Sequence, residues 1–298
     1  MDVQLNPMAF PILRGNGYIQ FGTDGYVAGV LGPYGSRKLG ALTALCGQLT
    51  QEALPTKQCI LQLARAGFGQ FLATQVIQEL MDYKVLVPGF SRAVLTAGGY
   101  YPLVSRFAAE AKDCGMDVAT PTTPKELVNY LRYSEDTQPY VHFYDGVLDW
   151  STLLITMYNS VPIVPVAVLG NRIVIGPVRR NYAGPCLCCY EHYRRDADPR
   201  WDTIRHQYAG SLGTLPSHTR NLILGHTLSV VRNLMGFPPP PGGRPEEIKP
   251  GYMLQVGVDG SFVHHSRVDV HPGCNLHRPW DKDFLNVLLP VKKQRREE

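Results

Sequence analysis

Two short motifs roughly eighty residues apart constrain most tightly what this chain can fold into. The first is Gly184-Pro-Cys186-Leu-Cys188-Cys189, in which Cys186 and Cys189 have CxxC spacing, and the second is His271-Pro-Gly-Cys274-Asn-Leu-His277. Thiolate and imidazole pairs at such spacings can bind one zinc ion tetrahedrally from two knuckles, which would tie the C-terminal segment to the middle of the chain. The same CxxC could instead be a redox pair, a disulfide or small apolar packing. A redox pair does not require a second knuckle, so a structural metal is the stronger reading, with Cys186, Cys189, Cys274 and His277 as ligands. His271 is spaced from Cys274 as His277 is and can take its place. Cys188 is out of CxxC register with Cys186 and reads as a bystander. Cys46, Cys59 and Cys114 fall in segments with helical patterning, where burial is their expected fate.

At 298 residues, 44% hydrophobic and 18% charged, the chain has enough apolar material for two modest domains with real cores. Met1-Asp2-Val3-Gln4 lacks the basic start and apolar run of a secretory signal. The longest apolar stretch, Val161 to Leu169, contains Pro162 and Pro165 and is too short to span a bilayer. Unpaired thiols without an export signal fit a reducing cytoplasm. The net charge of +4 is a weak pointer to nucleic acid. Basic residues gather at Arg179, Arg180, Arg194 and Arg195 and in a tail, Lys292 to Arg296, that reads as a solvated end. Neither a membrane nor a nucleic-acid partner is expected.

Residues 1–89 read as a first module. Strand-like runs Phe10–Leu13, Tyr18–Phe21 and Tyr26–Leu31 are broken by Gly-Asn-Gly and Thr-Asp-Gly turn signals. Helical patterns follow over Arg37–Leu49, Thr56–Ala66 and Gln70–Tyr83, the last with Phe71, Val76, Ile77 and Leu80 expected on one face. Val85-Leu86-Val87 closes the module as a strand. Strands, three helices and a small β element predict a winged-helix-like fold. Such folds often bind DNA through a basic helix, but the last helix carries Gln75, Gln78, Glu79 and Asp82 and no Lys or Arg before Lys84, so a phosphate-facing role is poorly supported.

Residues 90–298 change to alternating strands and helices, which implies a largely parallel, Rossmann-like sheet. The predicted order is strand Ala93–Ala97, helix Leu103–Cys114, strand Met116–Ala119, helix Pro124–Tyr133, strand Tyr140–Tyr144, helix Trp150–Tyr158, then a hairpin of Ile163–Leu169 and Arg172–Ile175. A nucleotide-binding first turn needs Gly-x-Gly-x-x-Gly; counted from Gly98, the second and third glycine positions here are Tyr100 and Leu103. The nucleotide site therefore reads as lost. Ser217–Gly236 has the length of one long helix, with Leu222, Leu224, Leu228, Val231 and Leu234 as expected buried positions. A Pro-rich stretch, Phe237 to Pro250, is expected to be a stiff surface connector. Tyr252–Val258 and Ser261–Val270, joined at Asp259-Gly260, form a hairpin that delivers the second knuckle.

The run Gly176-Pro-Val-Arg-Arg-Asn-Tyr-Ala-Gly-Pro-Cys186-Leu-Cys-Cys189, continuing through Tyr193-Arg-Arg-Asp-Ala-Asp198-Pro199-Arg-Trp201, resembles the ThiF-like partner proteins of azole-peptide biosynthesis. These are also called cyclodehydratase C or leader-peptide-binding proteins. They show a GPCLxC segment, an Arg-rich helix and an Asp-Pro-x-Trp. The stretch Arg14-Gly to Thr23-Asp24 and the three helices after it are similar to that family's recognition module. The resemblance implies a degenerate ThiF-type domain with structural zinc, and a division of labour. This chain would bind the leader of a ribosomally made precursor peptide and present its core to a YcaO cyclodehydratase, which uses ATP to form thiazoline and oxazoline rings from Cys, Ser or Thr. A flavin-dependent dehydrogenase is a further implied partner, and homodimers are expected. Adenylating relatives carry an Asp-x-x-Asp-Asn-x-x-x-Arg type of segment, whereas here the sequence reads Asp145-Gly-Val-Leu-Asp149-Trp150 with an apolar residue at the arginine position. The implied role is a scaffold with no ATP bound by this chain and no activity alone.

Leader capture would use an exposed edge strand, where a peptide adds main-chain hydrogen bonds. By resemblance the groove maps to Tyr26, Val27, Ala28, Gly29, Val30 and Leu31, with Gln75, Gln78 and Glu79 facing the peptide from the third helix. The rivals are a true adenylating enzyme and a zinc-containing DNA-binding regulator. His264 and His265 point to opposite faces of a strand, which argues against a second metal cluster there. Asp145 and Asp149 read as strand-end and helix-cap residues rather than an acid/base pair.

Overall fold

The structure, a computed structural model, describes residues 1–24, 29–89, 93–135, 137–144, 150–157, 160–208, 215–243 and 247–277. The chain divides into two units, Met1–Ala93 with Met235–Glu247, and Val94–Leu234 with Ile248–Glu298.

In the first unit, β1 (Asp2–Leu5), β2 (Pro11–Gly15), β3 (Tyr18–Phe21) and β4 (Gly29–Leu31) precede α1 (Ser36–Gln51). There follow β5 (Leu54–Pro55), α2 (Thr56–Leu63), α3 (Gln70–Asp82) and β6 (Leu86–Pro88). Two small antiparallel sheets result, β5-β1-β6 and β2-β3-β4. The core joins Val3, Ile19 and Phe21 from the strands to Leu42, Leu49, Leu63, Val76, Ile77 and Leu80 from the helices. On α3 the buried stripe is Ala73, Val76, Ile77 and Leu80. Phe71, expected on that face, is 76% exposed; at 100° per residue it sits on the opposite side of the helix. β1 lay outside the sequence expectation, because four residues with only Val3 and Leu5 apolar give too short a signal. The Pro-rich stretch is more than a surface connector: Asn6 Nδ2 donates to the Pro239 carbonyl at 2.8 Å, and the Gly242 amide donates to the Tyr83 carbonyl at 2.9 Å.

The second unit runs β7 (Ala93–Gly99), α4 (Tyr101–Asp113), β8 (Met116–Ala119), α5 (Pro124–Tyr133), β9 (Tyr140–Tyr144), α6 (Trp150–Met157), β10 (Ile163–Leu169) and β11 (Arg172–Ile175). It continues with α7 (Leu187–Ala197), α8 (Trp201–Tyr208), α9 (Ser217–Leu234), β12 (Tyr252–Gly257) and β13 (Val263–Arg267). One sheet takes all seven strands in the order β13-β12-β11-β10-β9-β7-β8. β7, β9 and β10 pair in parallel, as the alternating pattern implied. β10 through β13 are antiparallel neighbours, so both predicted hairpins extend one mixed sheet rather than standing apart.

Every residue of β9 is buried, which follows from helices on both faces. Phe143 meets Phe107 of α4 edge-on, with ring centroids 5.4 Å apart. On the other face Tyr140 packs with Leu127 and Leu131 of α5, and Tyr144 with Tyr190 and Trp201. α9 buries Thr219, Ile223, Leu224, Thr227, Val230, Val231 and Leu234. Leu222 and Leu228, expected inside, are only half-buried; the true stripe includes Thr219, whose hydroxyl donates to the Val258 carbonyl at 3.1 Å. Among the described residues, no helix is long and apolar enough to cross a membrane.

Candidate functional site

The two knuckles meet. Cys186 is the N-cap residue of α7, which places Cys189 in the first turn, and the second knuckle ends in a short 3-10 turn, Asn275–His277. The Cys186 sulfur lies 3.7 Å from the sulfurs of both Cys189 and Cys274. A tetrahedron with metal–sulfur bonds of about 2.3 Å has sulfur–sulfur edges of about 3.8 Å, so these thiols already stand at the separation one ion imposes. The ligand atoms of Cys186, Cys189, Cys274 and His277 all lie within 4.8 Å of one another. Moreover, His277 Nε2 is buried with no hydrogen-bond partner among the described residues, and a metal would satisfy a ring nitrogen so placed. The cluster could hold a metal ion, and three thiolates with one imidazole are the donor set of a closed zinc site.

Cys186 donates to Cys189, which draws the Cys189 thiol well below its ordinary range and pushes Cys186 upward. Burial, then the neighbouring Cys274, pushes Cys188 up to about 12. His271 is not in the cluster. Its Nε2 lies 2.8 Å from Asp196 Oδ2, and its Nδ1 accepts from the Gly273 amide at 3.0 Å. His264 and His265 are likewise apart from it; His265 Nδ1 lies 3.0 Å from the Tyr252 hydroxyl.

The rest of the sequence motif knits α7 to the sheet. Glu191, 1% exposed, accepts from the Tyr144 hydroxyl and from Trp201 Nε1, each at 2.6 Å. The Arg194 guanidinium lies over the rings of both Tyr190 and Trp201, 4.5 and 4.4 Å from their centroids. Arg195 binds both oxygens of Asp202, at 2.7 and 3.0 Å. Arg179 is buried and donates to the carbonyls of Gly184 and Met157, each at 3.0 Å. Arg179, Arg194 and Arg195 are thus engaged in internal contacts. Glu191 had no signal in the sequence beyond its place between a CxxC and a tryptophan.

At the sheet's topological switch point, the carboxyl end of β7 opens on a cleft of about 390 Å³ lined by Gly98, Gly99, Tyr101, Thr120, Thr123 and Tyr140 among others. Both glycines serve packing. A Cβ on Gly99, at φ +97°, would fall 1.9 Å from the Phe143 carbonyl oxygen, and one on Gly98 would fall 2.7 Å from the Tyr140 hydroxyl. Leu103 is buried and Tyr101 is 69% exposed. Asp145 and Asp149 lie outside the described residues.

In the first unit β4 forms one margin of its sheet, paired on one side to β3 through Ile19↔Leu31, Gln20↔Val30 and Phe21↔Gly29. Val30 is exposed while Leu31 packs against the core. The Tyr83 ring at the end of α3 stands against Gly29, where an added Cβ would come within 3.0 Å of it. Gln75, Gln78 and Glu79 all lie on the exposed side of α3, with Gln78 donating to Asp82 at 2.9 Å. Tyr26, Val27 and Ala28 lie outside the described residues.

No protein-family model and no curated protein matches the sequence. Solved structures do match the fold. A heterocyclase in complex with substrate and cofactor superposes on 92% of this chain with a TM-score of 0.60 at 14% identity. The heterocyclase TruD covers the same 92% with a TM-score of 0.57 at 13% identity. The chain shares its fold with these heterocyclases. The seven-stranded mixed sheet of the second unit is the Rossmann-like part of the fold that the sequence resemblance implied. The shared fold spans 39% and 42% of those two longer chains.

Proposed function

We propose that this chain captures the leader of a ribosomally synthesised precursor peptide and presents its core to a YcaO cyclodehydratase, which closes thiazoline and oxazoline rings on Cys, Ser or Thr. The observation that carries the reading is the margin of β4. Among the described residues one side of this strand is unpaired within its sheet, and the Tyr83 ring at the end of α3 stands against Gly29, so an extended peptide can add there as a further strand while side chains from α3 select its sequence. In this reading residues 1–89 are the recognition module, and Tyr26 to Leu31 with Gln75, Gln78 and Glu79 form the groove. Residues 90–298 are a degenerate ThiF-type domain whose C-terminal segment is stapled to α7 by zinc on Cys186, Cys189, Cys274 and His277. The chain matches about two fifths of each heterocyclase, and in this reading the YcaO partner supplies the ring-closing machinery. The work is cytoplasmic, with a homodimer and a flavin-dependent dehydrogenase as further associations.

The test is a titration of fluorescently labelled leader into the full chain, with and without the YcaO partner. Saturable binding at micromolar concentration or tighter is expected, with Val30→Pro weakening it at least tenfold. Failure of either mixture to bind at that concentration overturns the proposal. The cleft at Gly98 and Thr120 favours a second reading, an adenylating enzyme that acts without a partner. ATP turnover with the precursor alone would establish that reading in place of the first.

A further inference from the structure

Cys188 is surplus to the four-ligand cluster, yet it is placed as a ligand. It sits one helical turn before His192 on α7, so the two side chains share a face. The ligand atoms of Cys188, His192 and Cys274 all lie within 4.8 Å of one another. Cys274 therefore belongs to two groups at once, one with Cys186, Cys189 and His277 and one with Cys188 and His192. We propose that the Cys274 thiolate bridges two divalent, thiophilic metal ions, the first held by Cys186, Cys189, Cys274 and His277 and the second by Cys188, His192 and Cys274. The second site rests on the first being a metal site.

Electrostatics favours the pair over the single ion. Cys186, Cys188, Cys189 and Cys274 are all buried, in a cluster walled by Met157, Leu187 and Leu276. One divalent ion on three thiolates and a neutral imidazole leaves a net charge of about −1 in this apolar setting, where uncompensated charge is costly. Four thiolates around two divalent ions are neutral. The His192 ring is held for the task. It stacks on His271 with ring centroids 5.0 Å apart and planes at 12°, and His271 is fixed by Asp196 and the Gly273 amide at 2.8 and 3.0 Å. Stacking on an anchored ring limits how the His192 imidazole can turn. Three protein ligands leave the second ion one open position, which water fills from the half-exposed side of His192.

Metal counting on the purified full chain, saturated with zinc and freed of excess, tests both sites. Native mass spectrometry is expected to show two zinc ions per wild-type chain and one in Cys188→Ser and in His192→Gln. A single ion per wild-type chain overturns the second site and leaves the first standing. No ion at all overturns both. Two ions retained in Cys188→Ser also overturns the assignment. The cadmium-113 spectrum of the wild-type chain needs no variant. Two resonances split by coupling through the shared sulfur are expected, and two uncoupled resonances or one alone refute the bridge.

Discussion

Replacing Cys274 by serine separates a metal-bound junction from ordinary packing by the size of the effect. A metal joining Cys186 to Cys274 closes a loop of 88 residues. In the chain-entropy picture, closing a loop of that length removes about 15 cal/mol/K from the unfolded ensemble, or about 4–5 kcal/mol at 25 °C. If the thiols only pack, exchanging one buried sulfur for a hydroxyl costs about 1–3 kcal/mol. For a unit of 150–250 residues each kcal/mol moves the melting temperature by about 2–4 °C, so the metal reading predicts a drop of about 8–20 °C. Calorimetry with and without a strong chelator completes the comparison. Chelator should lower the wild-type transition by a similar amount and leave Cys274→Ser where it is. A wild-type transition indifferent to the chelator refutes the reasoning, as does a variant that melts within a few degrees of wild type.

Two further outcomes follow from the Glu191 network. Trp201→Phe removes the indole donor to a carboxylate that is 1% exposed and is expected to cost about 2–3 kcal/mol in urea unfolding; a change below about 0.5 kcal/mol contradicts the account. Burial, then the Glu191 carboxylate, raises the Tyr144 hydroxyl well above its ordinary value. The folded chain thus favours neutral Tyr144, and the associated stability is fully present below about pH 10 and is lost as the pH rises through the higher folded value. Ultraviolet difference titration of wild type against Tyr144→Phe should show no phenolate from this residue near pH 10, and an ordinary midpoint would contradict the assignment.

The alternation of strands and helices from Ala93 to Ile175 was legible in the sequence because these elements declare themselves through local periodicity and turn residues. The half-sites were legible for a similar reason, since the CxxC and the Cys-x-x-His spacings are themselves the chemistry. Periodicity misled where the stripe is not purely apolar. Phe71 looked like a core residue and faces away, while Thr219 and Thr227 sit inside α9 where leucines were expected. Edge-strand pairing in the first unit rests on main-chain geometry, which side-chain identity encodes only weakly, so the groove stayed an expectation drawn from resemblance.

By itself the sequence determined that a mixed α/β chain would carry two metal half-sites, a GGYYPL turn lacking the later glycines of a nucleotide fingerprint, and a charged helix beside a tryptophan. Tertiary structure decided which side chains converge. It set His277 rather than His271 among the thiols. It turned Arg179, Arg194 and Arg195 inward onto carbonyls, rings and a carboxylate. It also brought Cys188 and His192 up to Cys274, which the spacing alone left idle. The physical reason is range. Helical turns and knuckles are set by neighbours a few residues apart, whereas the junction of residues 186 and 274 exists only once α7 and the second knuckle are packed against one another.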